Sequence, residues 1–169
     1  MVLTARRETT AAGTLAGFGL SAPCAFGRGG VAAAKREGDG VSPAGLYRLR
    51  ACYWRPDRVP RPVTGLPTVP IRRDLGWCDA PEHPLYNRPV RLPFAGSHER
   101  MWREDRAYDL VVVMDHNMDP AVPGAGSAVF WHLTKGAEPT PTEGCVAVAP
   151  EAMRAMLARC EAGTAFVIE

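Results

Sequence analysis

No run of about 18 consecutive apolar residues, the length a membrane-spanning helix needs, occurs anywhere in the 169-residue chain. A transmembrane helix is therefore excluded on length. The chain also has no C-x-x-C pair, and its five cysteines (Cys24, Cys52, Cys78, Cys145 and Cys160) are odd in number and irregularly spaced. Neither a zinc framework nor a disulfide scaffold fits, and at least one thiol is left free. Charge of one sign is not in excess: the formal net charge is +2, and the arginines are scattered rather than gathered on one helix. That balance argues against a nucleic-acid partner. Internal repeats and low-complexity tracts are absent as well.

What is present is the composition of a folded soluble domain, 46% apolar and 22% charged. The length suits a single domain over residues 1–169. Near the N-terminus, Arg6 and Arg7 followed by the small-residue run Leu15 to Ala25 superficially suggest a signal peptide. Gly13, Gly17, Gly19 and Pro23 interrupt that run, so Val2 to Thr4 and Thr14 to Phe18 read as short strands and no cleaved signal is expected. Turn signals at Gly29-Gly30, Gly38-Asp39-Gly40 and Ser42-Pro43-Ala44-Gly45 flank strands expected at Val31 to Ala34 and Leu46 to Tyr53. Residues 55–106 are dense in Pro, Arg and aromatics. Each Pro removes a ladder donor, which rules out a central strand and predicts a long ordered excursion walling the active site. Tyr108 to Met114 and Ser127 to Leu133 read as neighbouring core strands. Pro150 opens an amphipathic helix through Cys160, Gly163 stops it, and Thr164 to Ile168 is a last strand. The fold class is mainly β with one or two helices.

Chemistry concentrates in Ser127 to Val148, where a strand histidine, a Gly/Pro-rich loop and a Gly-Cys step follow one another. A thiol is a weak nucleophile until deprotonated, and an adjacent imidazole can take its proton. Cys145 is the candidate nucleophile and His132 the candidate base. Gly144 permits an unusual backbone turn, so that the amides of Gly144 and Cys145 are candidates for an oxyanion hole. Composition alone also allows Cys145 to be a small buried hydrophobe and His132 a satisfied core residue. The acidic and histidine residues Asp79, Glu82, His83 and His98 follow no metal-ligand spacing, and the thiol chemistry calls for no metal and no cofactor.

His132 followed by Pro141-Thr142-Glu143-Gly144-Cys145 resembles the signature of the YkuD-type L,D-transpeptidases, with Thr142, Gly144 and Cys145 matching. Lys35 to Gly45 likewise resembles that family's Gly...Thr/Ser-Pro-x-Gly hairpin. Glu143 departs from the pattern where a second His usually stands, and Ala147 where Arg or Asn often follows. The resemblance implies a YkuD-like β-sandwich or barrel-like domain whose cysteine attacks a peptidoglycan peptide stem. The thioacyl enzyme that results is resolved by an amine of a second stem, at third-position diaminopimelate or in a first-to-third link from L-Ala. Thr142, Glu143, His98, Tyr86, Trp131 and Arg88 are expected to face the substrate. Such a protein acts in the periplasm or at the cell wall, as a monomer. Water as acceptor would instead give a carboxypeptidase or amidase, and an unreactive Cys145 a cell-wall binding module.

Overall fold

The computed structural model describes residues 1–136 and 138–169. The first part of the chain forms β1 (Val2–Arg7), β2 (Ala12–Gly17), β3 (Leu20–Ala25), β4 (Val31–Ala32), β5 (Ser42–Pro43) and β6 (Gly45–Trp54). The excursion contributes β7 (Thr68–Pro70), β8 (Leu75–Cys78), β9 (Pro89–Arg91) and β10 (His98–Arg100). Then come β11 (Leu110–Met114), β12 (Phe130–Leu133), β13 (Val146–Val148), the helix α1 (Pro150–Leu157) and β14 (Ala165–Ile168).

Nine of the strands join in one sheet, ordered β11-β12-β13-β3-β2-β1-β14-β6-β7, and a further pairing of β6 with β11 curls it into a barrel-like closure. The long β6 makes this possible because Gly45 to Arg48 pair with β14 while Leu49 to Trp54 pair with β11. Closure pairs the edge of β11 and leaves the short β7 as the sheet's edge strand. The interior holds Leu3, Leu15, Phe26, Val112, Trp131, Val146 and Phe166, and α1 adds Met153, Met156 and Leu157 to it.

A second core lies on the outer face of β11 and β12. Successive side chains of a strand point to opposite faces, so Leu110, Val112 and Met114 enter the barrel while Val111 and Val113 face out. Phe130 likewise joins the outer cluster and Trp131 the inner one. The excursion covers the outer face with Ile71, Trp77, Met101 and Tyr108, and Trp77 meets Phe130 edge-on at 5.0 Å. Both faces of β11 are therefore buried, which is why it reads as a continuous apolar run.

The expected core strands pair antiparallel, with Val111 opposite His132. The second of them starts at Phe130 rather than Ser127, because Gly126 (φ 96) and Ala128 (φ 51) turn the backbone out of the extended region. The helix ends at Leu157 rather than Cys160, its last turns closing by bonds from Arg159 N to Met156 O and from Cys160 N to Leu157 O. Gly163 (φ 88) serves the turn into β14 instead. Within the excursion, Pro70 and Pro89 do lie in strands, but β7 and β9 are both edge strands, where a missing donor costs no ladder bond. No helix among the described residues is long and apolar enough to cross a membrane.

Trp131 is fully buried, with its ring 5.6 Å from that of Phe166. Trp131→Ala is expected to lower unfolding free energy by about 3–5 kcal/mol, read by urea denaturation, as for other large aromatic-to-Ala core changes.

Candidate active site

The site grows from the parallel pairing of β12 with β13. The register sets Trp131 opposite Val146 and His132 opposite Ala147, so Cys145, one residue before β13, falls beside Phe130. Alternation then puts Phe130, His132, Cys145 and Ala147 on one face of the sheet. Cys145 and His132 are diagonal neighbours there, a relation that brings side chains of adjacent strands within reach of each other. Both line a cavity of about 250 Å³ whose other walls include Lys35, Asp79, Glu99, Arg103, Tyr108 and Thr142.

The backbone at the cysteine is held by parts of the chain far apart in sequence. The carbonyl of Cys145 accepts hydrogen bonds from Ser42 Oγ at 2.9 Å and Thr142 Oγ1 at 2.8 Å. Ser42 Oγ in turn accepts from Gly27 N at 2.8 Å, and Thr142 Oγ1 from Gly144 N at 3.1 Å. These contacts demand close backbone approach. Gly144 sits at φ 132, and a Cβ there would stand 2.8 Å from the Val41 carbonyl oxygen; one on Gly27 would stand 2.0 Å from that of Gly40 and 2.9 Å from Gly144 Cα.

Cys145 Sγ donates to Ala128 O at 3.3 Å and accepts from Phe130 N at 3.4 Å. His132 Nδ1 lies 2.8 Å from Leu133 O, an acceptor only, so Nδ1 carries the proton and Nε2 the lone pair. The imidazole is further oriented by the edge of Tyr108, at 5.4 Å between ring centroids. Burial pushes the thiol up to about 12, with Glu99 adding to the effect and the Phe130 amide, Lys35 and Arg103 opposing it. Burial also holds His132 down to about 4. The resting pair is thus a neutral thiol beside a neutral imidazole.

The family model of the L,D-transpeptidase catalytic domain, YkuD, matches residues 7–168. The chain belongs to this family. No curated protein and no solved structure matches it.

Within this L,D-transpeptidase domain, Thr142 and Glu143 line the cavity together with Cys145 and His132. Glu143 is exposed and pairs with Arg28 at 2.8 Å. Four expected substrate-facing residues lie elsewhere. Trp131 points into the barrel because the pleat of β12 alternates it with His132. Tyr86 is buried as a loop brace, donating to Glu37 and accepting from Gly126 N at 3.1 Å. Arg88 pairs with Asp119 at 2.8 Å and donates to Met118 O. His98 bonds Gly96 O at 2.8 Å and packs on Phe94. The oxyanion expectation is narrowed as well: the Gly144 amide is occupied by Thr142 Oγ1, which leaves the Cys145 amide as the candidate donor.

Lys35 is a site residue that sequence reasoning missed as a functional group. Its side chain is only 5% exposed, its ammonium pairs with Asp39 at 2.5 Å, and it packs against Gly144. Its i,i+4 spacing to Asp39 was visible in the sequence, but the fold alone carries the pair to the cysteine. Glu99, in the excursion, was missed for the same reason. Among the described residues no group of three or more His, Cys, Asp or Glu could hold a metal ion.

Two outcomes test this geometry. Ser42→Ala leaves the Gly27 amide and part of the Cys145 carbonyl unsatisfied, and is expected to slow alkylation of Cys145 by a small electrophile and to cost about 1–3 kcal/mol of stability. Stability should also depend on pH at both ends. His132 has a folded value of about 4 against an ordinary 6.5, so its contribution is complete above 6.5 and is lost as pH falls through 4. Cys145 has the opposite sign, with a contribution complete below 9.0 and lost as pH rises toward about 12. Urea midpoints at pH 5, 7 and 10 should therefore peak at 7.

Proposed function

We propose that this domain cross-links peptidoglycan peptide stems through a thioacyl enzyme formed on Cys145, with His132 as the base. The observation that supports the reading most directly is the shared sheet face of Cys145 and His132 at the wall of one cavity. In the acylation step, Cys145 Sγ bonds to the stem carbonyl carbon while His132 Nε2 takes the thiol proton. The tetrahedral oxyanion faces the Cys145 amide. Collapse breaks the C–N bond, and the amine of the following residue leaves with the proton returned by His132. The neutral amine of a second stem then attacks the thioester and restores the thiol.

The neutral resting pair is consistent with this sequence of events, since thiolate builds up only where the substrate carbonyl can receive it. We assign the acceptor amine to third-position diaminopimelate of a second stem, and the donor carbonyl to third-position diaminopimelate or, in a first-to-third link, to a first-position L-Ala. The substrate lies outside the cytoplasm, which sets the proposed workplace in the periplasm or at the cell wall.

Purified murein incubated with the protein and digested to muropeptides should yield new cross-linked dimers by mass spectrometry, with Cys145→Ala giving none and His132→Gln reducing the yield at least a hundredfold. Shortened stems without dimers would identify water as the acceptor and a hydrolase instead.

A further inference from the structure

The acidic residues of the cavity take no part in the steps above. In the excursion's small sheet, ordered β10-β8-β9, Glu99 pairs opposite Trp77. Asp79 N bonds Ser97 O at 3.2 Å, which extends the same antiparallel register one residue beyond the pairing of Cys78 with His98. Asp79 and Glu99 are therefore diagonal neighbours on the face that carries Trp77, and that face packs toward Phe130 beside the cysteine.

Their charges are not balanced by the protein. Glu99 accepts from Tyr108 Oη at 2.6 Å and from Arg103 at 3.3 Å. Arg103 is already engaged in a two-pronged pair with Asp105, at 2.8 and 2.7 Å, and Lys135 stands 3.6 Å from that same Asp105. Arg103 and Lys135 thus stand among Asp79, Glu99 and Asp105, while the cavity's third cation, Lys35, pairs with Asp39. Asp79 Oδ1 is buried with no hydrogen-bond partner among the described residues, and so is the hydroxyl of Ser127, a residue only 8% exposed. All of Asp79, Glu99 and Ser127 line the cavity that holds Cys145. A buried acceptor without a donor, next to a second carboxylate, is costly unless a ligand completes it. A primary ammonium, which brings one positive charge and several N–H donors, matches such a set of acceptors.

We propose that Asp79 and Glu99 form an ammonium subsite that grips a free amine on the side chain of the donor residue, the one whose carbonyl Cys145 attacks. Ser127 Oγ supplies a further acceptor. The inference rests on the thioacyl reading, and it specifies a donor residue with a side chain ending in an unmodified amine. Holding that amine fixes the position of the scissile carbonyl against Sγ, so its effect falls on acylation rather than on the later attack by the second stem.

The test measures thioacyl-enzyme formation by intact-protein mass spectrometry, without acceptor, using a tetrapeptide stem with third-position diaminopimelate and the same stem acetylated on its free side-chain amine. Wild-type protein should acylate at least tenfold faster, in kcat/KM, with the free amine. Asp79→Asn and Glu99→Gln should each erase most of that preference, read as the ratio of the two stems' rates within each variant so that a change in basal rate cancels. Urea unfolding midpoints show the variants to be folded. Equal wild-type rates with both stems would overturn the subsite and leave the thioester chemistry standing. Preference retained in both variants would overturn the assignment to these residues. No adduct with either stem would instead strike the proposed function, and with it this inference.

Discussion

The carbonyl of Cys145 is the point on which the site depends. Two hydroxyls donate to it, one from Ser42 ahead of β6 and one from Thr142 in the loop before β13, and each hydroxyl also receives an amide from a glycine. Individually such bonds contribute about 1 kcal/mol, but a buried acceptor stripped of its donors costs more than the bond itself contributes. The arrangement therefore fixes the peptide that carries the nucleophile, and it does so by drawing together three glycine-containing stretches of backbone that no side chain could separate. Everything downstream, from the direction of Sγ to the availability of the Cys145 amide, follows from that fixed peptide.

The second constraint is dryness. Burial keeps the thiol protonated and the imidazole unprotonated, so the site stores no ion pair in its resting state. Burial also raises Cys24, Cys52 and Cys160 to about 12, the same as Cys145. What distinguishes Cys145 from them is its company rather than its acidity. It alone among these four shares the cavity with a histidine and with the cations Lys35 and Arg103.

Much of the barrel was legible in the sequence because its strands are short, apolar and bounded by Gly and Pro, and because β11 is apolar at every position. The pairing of His132 with Cys145 was legible as well, from the loop that separates them and from the resemblance of the Thr142-Glu143-Gly144-Cys145 block. The orientation of Trp131 was not: an aromatic next to the base looks like a cleft wall until the pleat assigns it to the opposite face. Tyr86, Arg88 and His98 lie outside the cavity lining for a different reason. Their partners, Glu37, Asp119 and Gly96, satisfy them within loops whose course has no periodic signal. Lys35, Asp79 and Glu99 reach the cavity only through contacts between distant segments, and one sequence holds no trace of such contacts.

The three-stranded sheet of the excursion is separate from the sheet that forms the barrel. The barrel supplies the thiol, the imidazole and the clamp on the cysteine peptide, while the small sheet supplies the carboxylates that line the same cavity. The two stretches of chain meet where Trp77 packs edge-on against Phe130. By the proposed subsite, a substitution at Asp79 or Glu99 alters one wall of the cavity while both hydrogen bonds to the Cys145 carbonyl stay in place.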